Sequence, residues 1–177
     1  PAVSAGADAT ANEGSAFAGS GSFTDPGADT WTATVDYGDG SLTQTLTLIG
    51  KTFALNHTYA DNGTYTVTVT VTDDDSGVGI DTLVVTVSNV APAVSAGADA
   101  TANEGSAFTG AGSFTDPGAD TWTATVDYGD GSGVQPLALA PDKTFALSHT
   151  YADNGAYTIT VTVTDDDSGV GIDTLVV

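Results

Sequence analysis

The 177 residues include no Cys, Met or Arg, and two lysines, Lys51 and Lys143, stand against 23 acids for a formal charge of −21. Such a chain has nothing with which to neutralise phosphates, which excludes nucleic-acid binding, and no apolar run is long enough to span a bilayer or form a signal peptide. Only 14% of residues are charged while 40% are apolar, which is a globular composition and not that of a disordered acidic tail. The absence of Cys removes disulfides without choosing a compartment, the scarcity of trypsin sites suits life outside a cell, and a chain beginning at Pro1 without Met reads as a segment of a longer protein.

In chain order, Val3 and Phe17 mark two strands. Trp31, Ala33, Val35 and Tyr37 share one face of a third, and Phe53 and Leu55 mark a fourth. From Gly63 to Thr72 the alternation is strict: Tyr65, Val67, Val69 and Val71 face one way and the threonines the other. Leu83, Val85 and Val87 close the series. Turn residues punctuate these runs at "DPGAD", "YGDGS", "ADNG" and "DDDSG". A period of two with no helical periodicity predicts half-buried strands, with Trp31 and Trp122 in the core.

The whole pattern occurs twice. "VSAGADATANEGSAF" begins at Val3 and again at Val94, and "FTDPGADTWTATVDYGDGS" begins at Phe23 and again at Phe114. After a loop of different length, His57 matches His149 and Asp73 matches Asp165. The division expected is residues 1–87, a linker at 88–92 ("SNVAP"), and residues 93–177, the second copy stopping short of its own linker. The fold class expected is all-β: two tandem immunoglobulin-like Greek-key sandwiches of about seven strands each.

"VDYGDGS" at Val35–Ser41, followed by "HTYADNGTYTVTVTVTD" at His57–Asp73, resembles the PKD domain family. That family carries an aromatic-flanked D-x-G-D-G turn and then H-x-Y-x-x-x-G-x-Y-x-V-x-V. The one departure is Val35 where the family usually has Trp. The resemblance implies an extracellular sandwich acting as a spacer, an adhesion module or an accessory domain of a secreted enzyme, with calcium bound in some members.

The motifs themselves give little sign of catalysis. In "DYGDG", Asp36 and Asp39 are spaced for a glycine turn and not for an EF-hand loop. His57 has no nucleophile partner in the sequence and reads as a hydrogen-bonded structural group. The only glutamates are Glu13 and Glu104, so a carboxylate pair for glycoside hydrolysis is not indicated. An enzyme is not expected.

The acidic triplets are the chemistry-bearing feature. In this topology the loop after the second strand and the turn after the sixth lie at one end. Asp25 and Asp29 should therefore approach Asp73, Asp74 and Asp75, and in the second copy Asp116 and Asp120 should approach Asp165, Asp166 and Asp167, with no cation assigned to pair with them. Calcium, which takes six to eight oxygens in flexible geometry, would relieve the repulsion; the alternative is a solvated acidic tip screened by salt. Asn89, linker carbonyls and Glu13 are further candidate ligands where one copy meets the next.

The function expected is a structural or adhesive repeat module of bacterial type, extracellular or at the cell surface: a calcium-rigidified spacer of a stalk, adhesin or fibre. Its expected partners are neighbouring repeats, other copies of the chain associating laterally or end to end, or a surface polysaccharide, with no nucleic acid and no membrane insertion. The alternative is a carbohydrate- or protein-binding accessory module of a secreted hydrolase.

Overall fold

A computed structural model describes all 177 residues as strands, turns and loops, with no helix. The chain divides into two compact units, Pro1–Asn89 and Val90–Val177. Unit 1 contains β1 (Ala2–Ser4), β2 (Ala9–Asn12), β3 (Ala16–Thr24), β4 (Trp31–Asp36), β5 (Gln44–Leu46), β6 (Leu48–Ile49), β7 (Thr52–Thr58), β8 (Gly63–Asp73) and β9 (Val78–Ser88). One sheet has the order β1-β3-β7-β6 and the other β2-β9-β8-β4-β5. The chain crosses between the two sheets as in a Greek key, with β4–β5, β6–β7 and β8–β9 each following one another within a sheet.

Unit 2 contains β10 (Ala93–Ser95), β11 (Ala107–Thr115), β12 (Trp122–Asp127), β13 (Gln135–Leu137), β14 (Thr144–Thr150), β15 (Thr158–Asp165) and β16 (Val170–Val176). Its sheets run β10-β11-β14 and β13-β12-β15-β16. The two short strands that unit 2 lacks are the counterparts of β2 and β6.

Burial follows the period of two. Val67, Val69 and Val71 of β8 are fully buried against Phe17, Phe23, Phe53 and Leu55 of the facing sheet, while the intervening threonines point outward. A one-residue slip would exchange the two sets, so the register β8 makes with β4 (Val69 with Val35) and with β9 (Val67 with Leu83) is fixed by burial. Ile159, Val161 and Val163 do the same in unit 2. Trp31 and Trp122 are only partly buried at the strand ends, where their rings meet Phe23 and Phe114 at steep angles and centroid separations of 5.4 and 5.5 Å.

One strand departs from the antiparallel expectation. β2 pairs parallel with the end of β9, Ala9 opposite Val85. The chain leaves the first sheet at Gly6, whose φ of 109° is open to glycine and whose missing side chain admits the Ser20 carbonyl. Asp81 and Asp8 secure the crossover by accepting hydrogen bonds from the Ala5 and Val84 amides at 2.8 Å each.

The "DYGDG" turn is held as its spacing predicts. Gly38 and Gly40 have φ of 77° and 82°, and Asp36 and Asp39 accept the Gly38 and Ser41 amides. From this turn Asp39 reaches His57 Nε2 at 2.7 Å. The imidazole stacks on Tyr37 at 4.2 Å and meets Tyr59 edge-on, while Tyr59 stacks on Tyr65. The Tyr59 hydroxyl donates to the Tyr37 carbonyl, and burial pushes its pKa up to about 12. Unit 2 repeats the set with Asp130, His149, Tyr128, Tyr151 and Tyr157.

Candidate functional site

The β3–β4 loop and the β8–β9 turn meet at one end of each sandwich, and the chain enters there too: Pro1 lies against Gly79 of β9. In unit 1, carboxylate oxygens of Asp25, Asp29 and Asp73 lie within 4.8 Å of one another, as do those of Asp29, Asp74 and Asp75. In unit 2 the corresponding groups are Asp116, Asp120 and Asp165, and Asp120, Asp166 and Asp167. Asn89 is elsewhere, after the far end of the eleven-residue β9, and is not brought to the acids of its own unit.

Several of these acids also do structural work that explains the triplet locally. Asp73 accepts the Gly77 amide at 2.6 Å, and its own amide donates to the Gly77 carbonyl, closing a tight turn in which Ser76 takes φ 69°. Asp74 ties that turn to the neighbouring loop: its carboxylate accepts the Thr30 amide and its amide donates to the Thr30 carbonyl. Asp25 accepts the Gly27 amide at 3.1 Å and the Trp31 indole at 3.3 Å. Asp165, Asp166 and Asp116 repeat these roles with Gly169, Thr121, Gly118 and Trp122. A Cβ at Gly27 or Gly77 would strike the carboxylate of Asp29 or Asp73, which folds back over the turn and would have to move.

Asp29 and Asp75 stand apart from this scaffold. Partial burial, and then the charges of Asp25, Asp74, Asp73 and Asp75, raise the pKa of Asp29, the signature of crowded like charges. Asp25 moves the other way, its carboxylate stabilised first by the Gly27 amide.

Both lysines also reach these tips, each through a backbone carbonyl. Lys51 Nζ donates to the Asp25 carbonyl and sits 4.6 Å from the Trp31 ring centroid. Lys143 Nζ donates to the Asp116 carbonyl at 2.8 Å and lies 4.1 Å from the Trp122 ring centroid. Both lysines of the chain are therefore spent at the tips. The sequence held a signal for this, since the only two cationic side chains occupy equivalent repeat positions. Each lysine holds its loop through that carbonyl.

The donor set suits a hard divalent cation. All ligand atoms are oxygens, and oxygens each about 2.3–2.6 Å from one calcium lie no more than roughly 5 Å apart, which the 4.8 Å clusters satisfy. No imidazole is present in these clusters to favour a softer metal. In unit 1 an ion would be held by Asp25, Asp29 and Asp73 or by Asp29, Asp74 and Asp75, and in unit 2 by Asp116, Asp120 and Asp165 or by Asp120, Asp166 and Asp167; it would supply charge neutralisation there.

A family model of the PKD domain matches residues 1–87 and again residues 89–177. The chain belongs to the PKD domain family. No curated protein matches it. Among solved structures, a tetra-tandem repeat from the extending region of a large adhesion protein is 17% identical, with 98% of this chain and 49% of that one covered at a TM-score of 0.50. Fibronectin(III)-like modules of CbhA from Clostridium thermocellum are 15% identical, covering 98% and 90% at a TM-score of 0.38. Tandem immunoglobulin domains of titin are 14% identical, covering 96% and 90% at 0.38. At these identities the likeness is one of fold. PKD and immunoglobulin-like repeats are typically non-catalytic modules, extracellular or exposed at a surface.

Proposed function

We propose that this tandem PKD segment is a spacer of an extracellular stalk, adhesin or fibre, and that calcium at the sandwich tips fixes its loops. The observation that carries the reading is the convergence of five acids from two loops at the same end of both units, as two triplets sharing Asp29 or Asp120, each with oxygens at spacings one cation can bridge. The raised pKa of Asp29 supports it: burial raises it first, and the neighbouring carboxylates add a repulsion that a bound cation would remove. The extending region of an adhesion protein offers a precedent for such repeats as spacers.

Calcium at the tips would also stiffen the array. The linker at Ser88–Pro92 is short, and Pro92 restricts both itself and Ala91. Small-angle scattering of the two-unit chain is expected to give a longer maximum dimension and a narrower distance distribution in calcium than in chelator at matched ionic strength. Identical curves would remove the rigidifying role.

A further inference from the structure

The outer face of the second sheet is a hydroxyl lattice almost without charge. Strand pairing aligns Thr45, Thr34, Thr70 and Ile80 across four strands, with Asp36, Thr68 and Thr82 in the next row. The row on the other side is Thr32, Thr72 and Val78. Unit 2 carries the same face: Pro136, Thr125, Thr162 and Ile172 form one row and Thr123, Thr164 and Val170 another. In a chain of net charge −21, the outward positions of β4, β8 and β9 bear a single acid, Asp36, and those of unit 2 bear its counterpart, Asp127. Val78 and Ile80 are 56% and 61% exposed along one side of the lattice, and Val170 and Ile172 are 50% and 61% exposed at the same places.

We infer that this face is a lateral docking surface for a second copy of the same chain. The occupant follows from charge and area. Two chains of charge −21 repel wherever acids face acids, and this broad face is where they can approach with little like-charge juxtaposition. Threonine and isoleucine are stiff at χ1, so ordering them on contact costs little, and their methyl groups supply apolar area for sheets packed about 10 Å apart. Four strands about 4.8 Å apart and six residues of about 3.3 Å rise give roughly 400 Å² per face. One pair of faces thus buries about 800 Å² in total, the scale of a crystal contact, whereas two pairs reach the roughly 1,600 Å² of a standard interface. Association therefore builds with repeat number. It rests on the reading as a repeat array and not on the cation at the tips.

Sedimentation equilibrium of the whole chain, in chelator and from micromolar to millimolar concentration, tests this. The expected result is concentration-dependent dimers that strengthen as salt screens the net charge. Ile80→Glu with Ile172→Glu should weaken pairing at least tenfold, and so should Thr34→Glu with Thr125→Glu on the same face. Ala54→Glu with Ala146→Glu adds equal charge to exposed positions of the opposite sheet and should change pairing less than twofold. A monomer at every concentration, or equal weakening by all three pairs, overturns the inference.

Discussion

Lys51→Met isolates the one cationic side chain of unit 1 while keeping most of its apolar stem. The change removes a charged donor from the Asp25 carbonyl and a cation from the face of Trp31. A hydrogen bond from a charged group is worth about 1.5–3 kcal/mol and an exposed cation–π contact about 0.5–1 kcal/mol. The two act on the same loop and Met retains packing, so the expected loss is about 2 kcal/mol. For a domain of this size each kcal/mol moves the midpoint by about 4–8 °C, so unit 1 should melt roughly 10 °C earlier. Lys51 is the cleaner target because Lys143 also sits at a left-handed φ of 62°. Unit 2 then serves as an internal standard, and calorimetry in chelator should resolve an early transition from one at the wild-type temperature. A single unshifted transition would show that the lysine does not support the tip.

The Asp39–His57 contact predicts an acid limb. The pKa of Asp39, in spite of partial burial, is brought down to about 2 by Ser41 and His57, so its contribution is complete above the ordinary carboxylate range and is lost as pH falls from about 4 towards 2. Asp39→Asn should cost about 1 kcal/mol at neutral pH, as a partly exposed pair warrants, and should flatten unfolding against pH in that window; an unchanged acid limb would contradict the assignment. Asp29 has the opposite sign: its pKa is raised, so its repulsion eases as pH falls, and Asp29→Asn should raise stability at neutral pH in chelator, as thermal melts would show. Gly21→Ala would drive a Cβ into the buried Phe53 ring and the Ser4 carbonyl, costing about 2 kcal/mol by overpacking; a neutral chemical-denaturation result would mean the β1–β3–β7 layer gives more than its packing suggests.

The fold was legible where a single face is buried. Tyr65 to Val71 alternate without a break, and burial on one side leaves only one register for β8. Convergence of the acidic loops followed from topology, since both connect strands at the same end of the sandwich. The crossover strand β2 was not legible: "ATAN" at Ala9–Asn12 is short and without large apolar residues, and its place is decided by Gly6 and Asp81 elsewhere in the chain. The triplet divides in a way that composition hides. Asp73 and Asp74 are turn-forming and loop-tying groups, a role visible only from the amides of Gly77 and Thr30. The equivalent repeat positions of Lys51 and Lys143 hinted at a shared role, but the partner was hidden, because Lys51 reaches Asp25 from a loop 26 residues away in sequence.

Calcium-dependent stability distinguishes a bound ion from a solvated acidic tip, and the scaffold dictates the variants. Asp73 and Asp165 hold their turns together, so the ligands to remove are Asp29 with Asp75 and Asp120 with Asp167, by substitution to Asn. A ligand bound only to the native state at a hundredfold excess over its Kd adds about 2.7 kcal/mol. The wild-type chain should therefore melt several degrees higher in millimolar calcium than in chelator, with sodium chloride of equal ionic strength giving no such gain. The four-site variant should fold and show no calcium response. Equal stabilisation by sodium, or a calcium shift that survives in the variant, would make the tips solvated acidic surfaces and contradict the account.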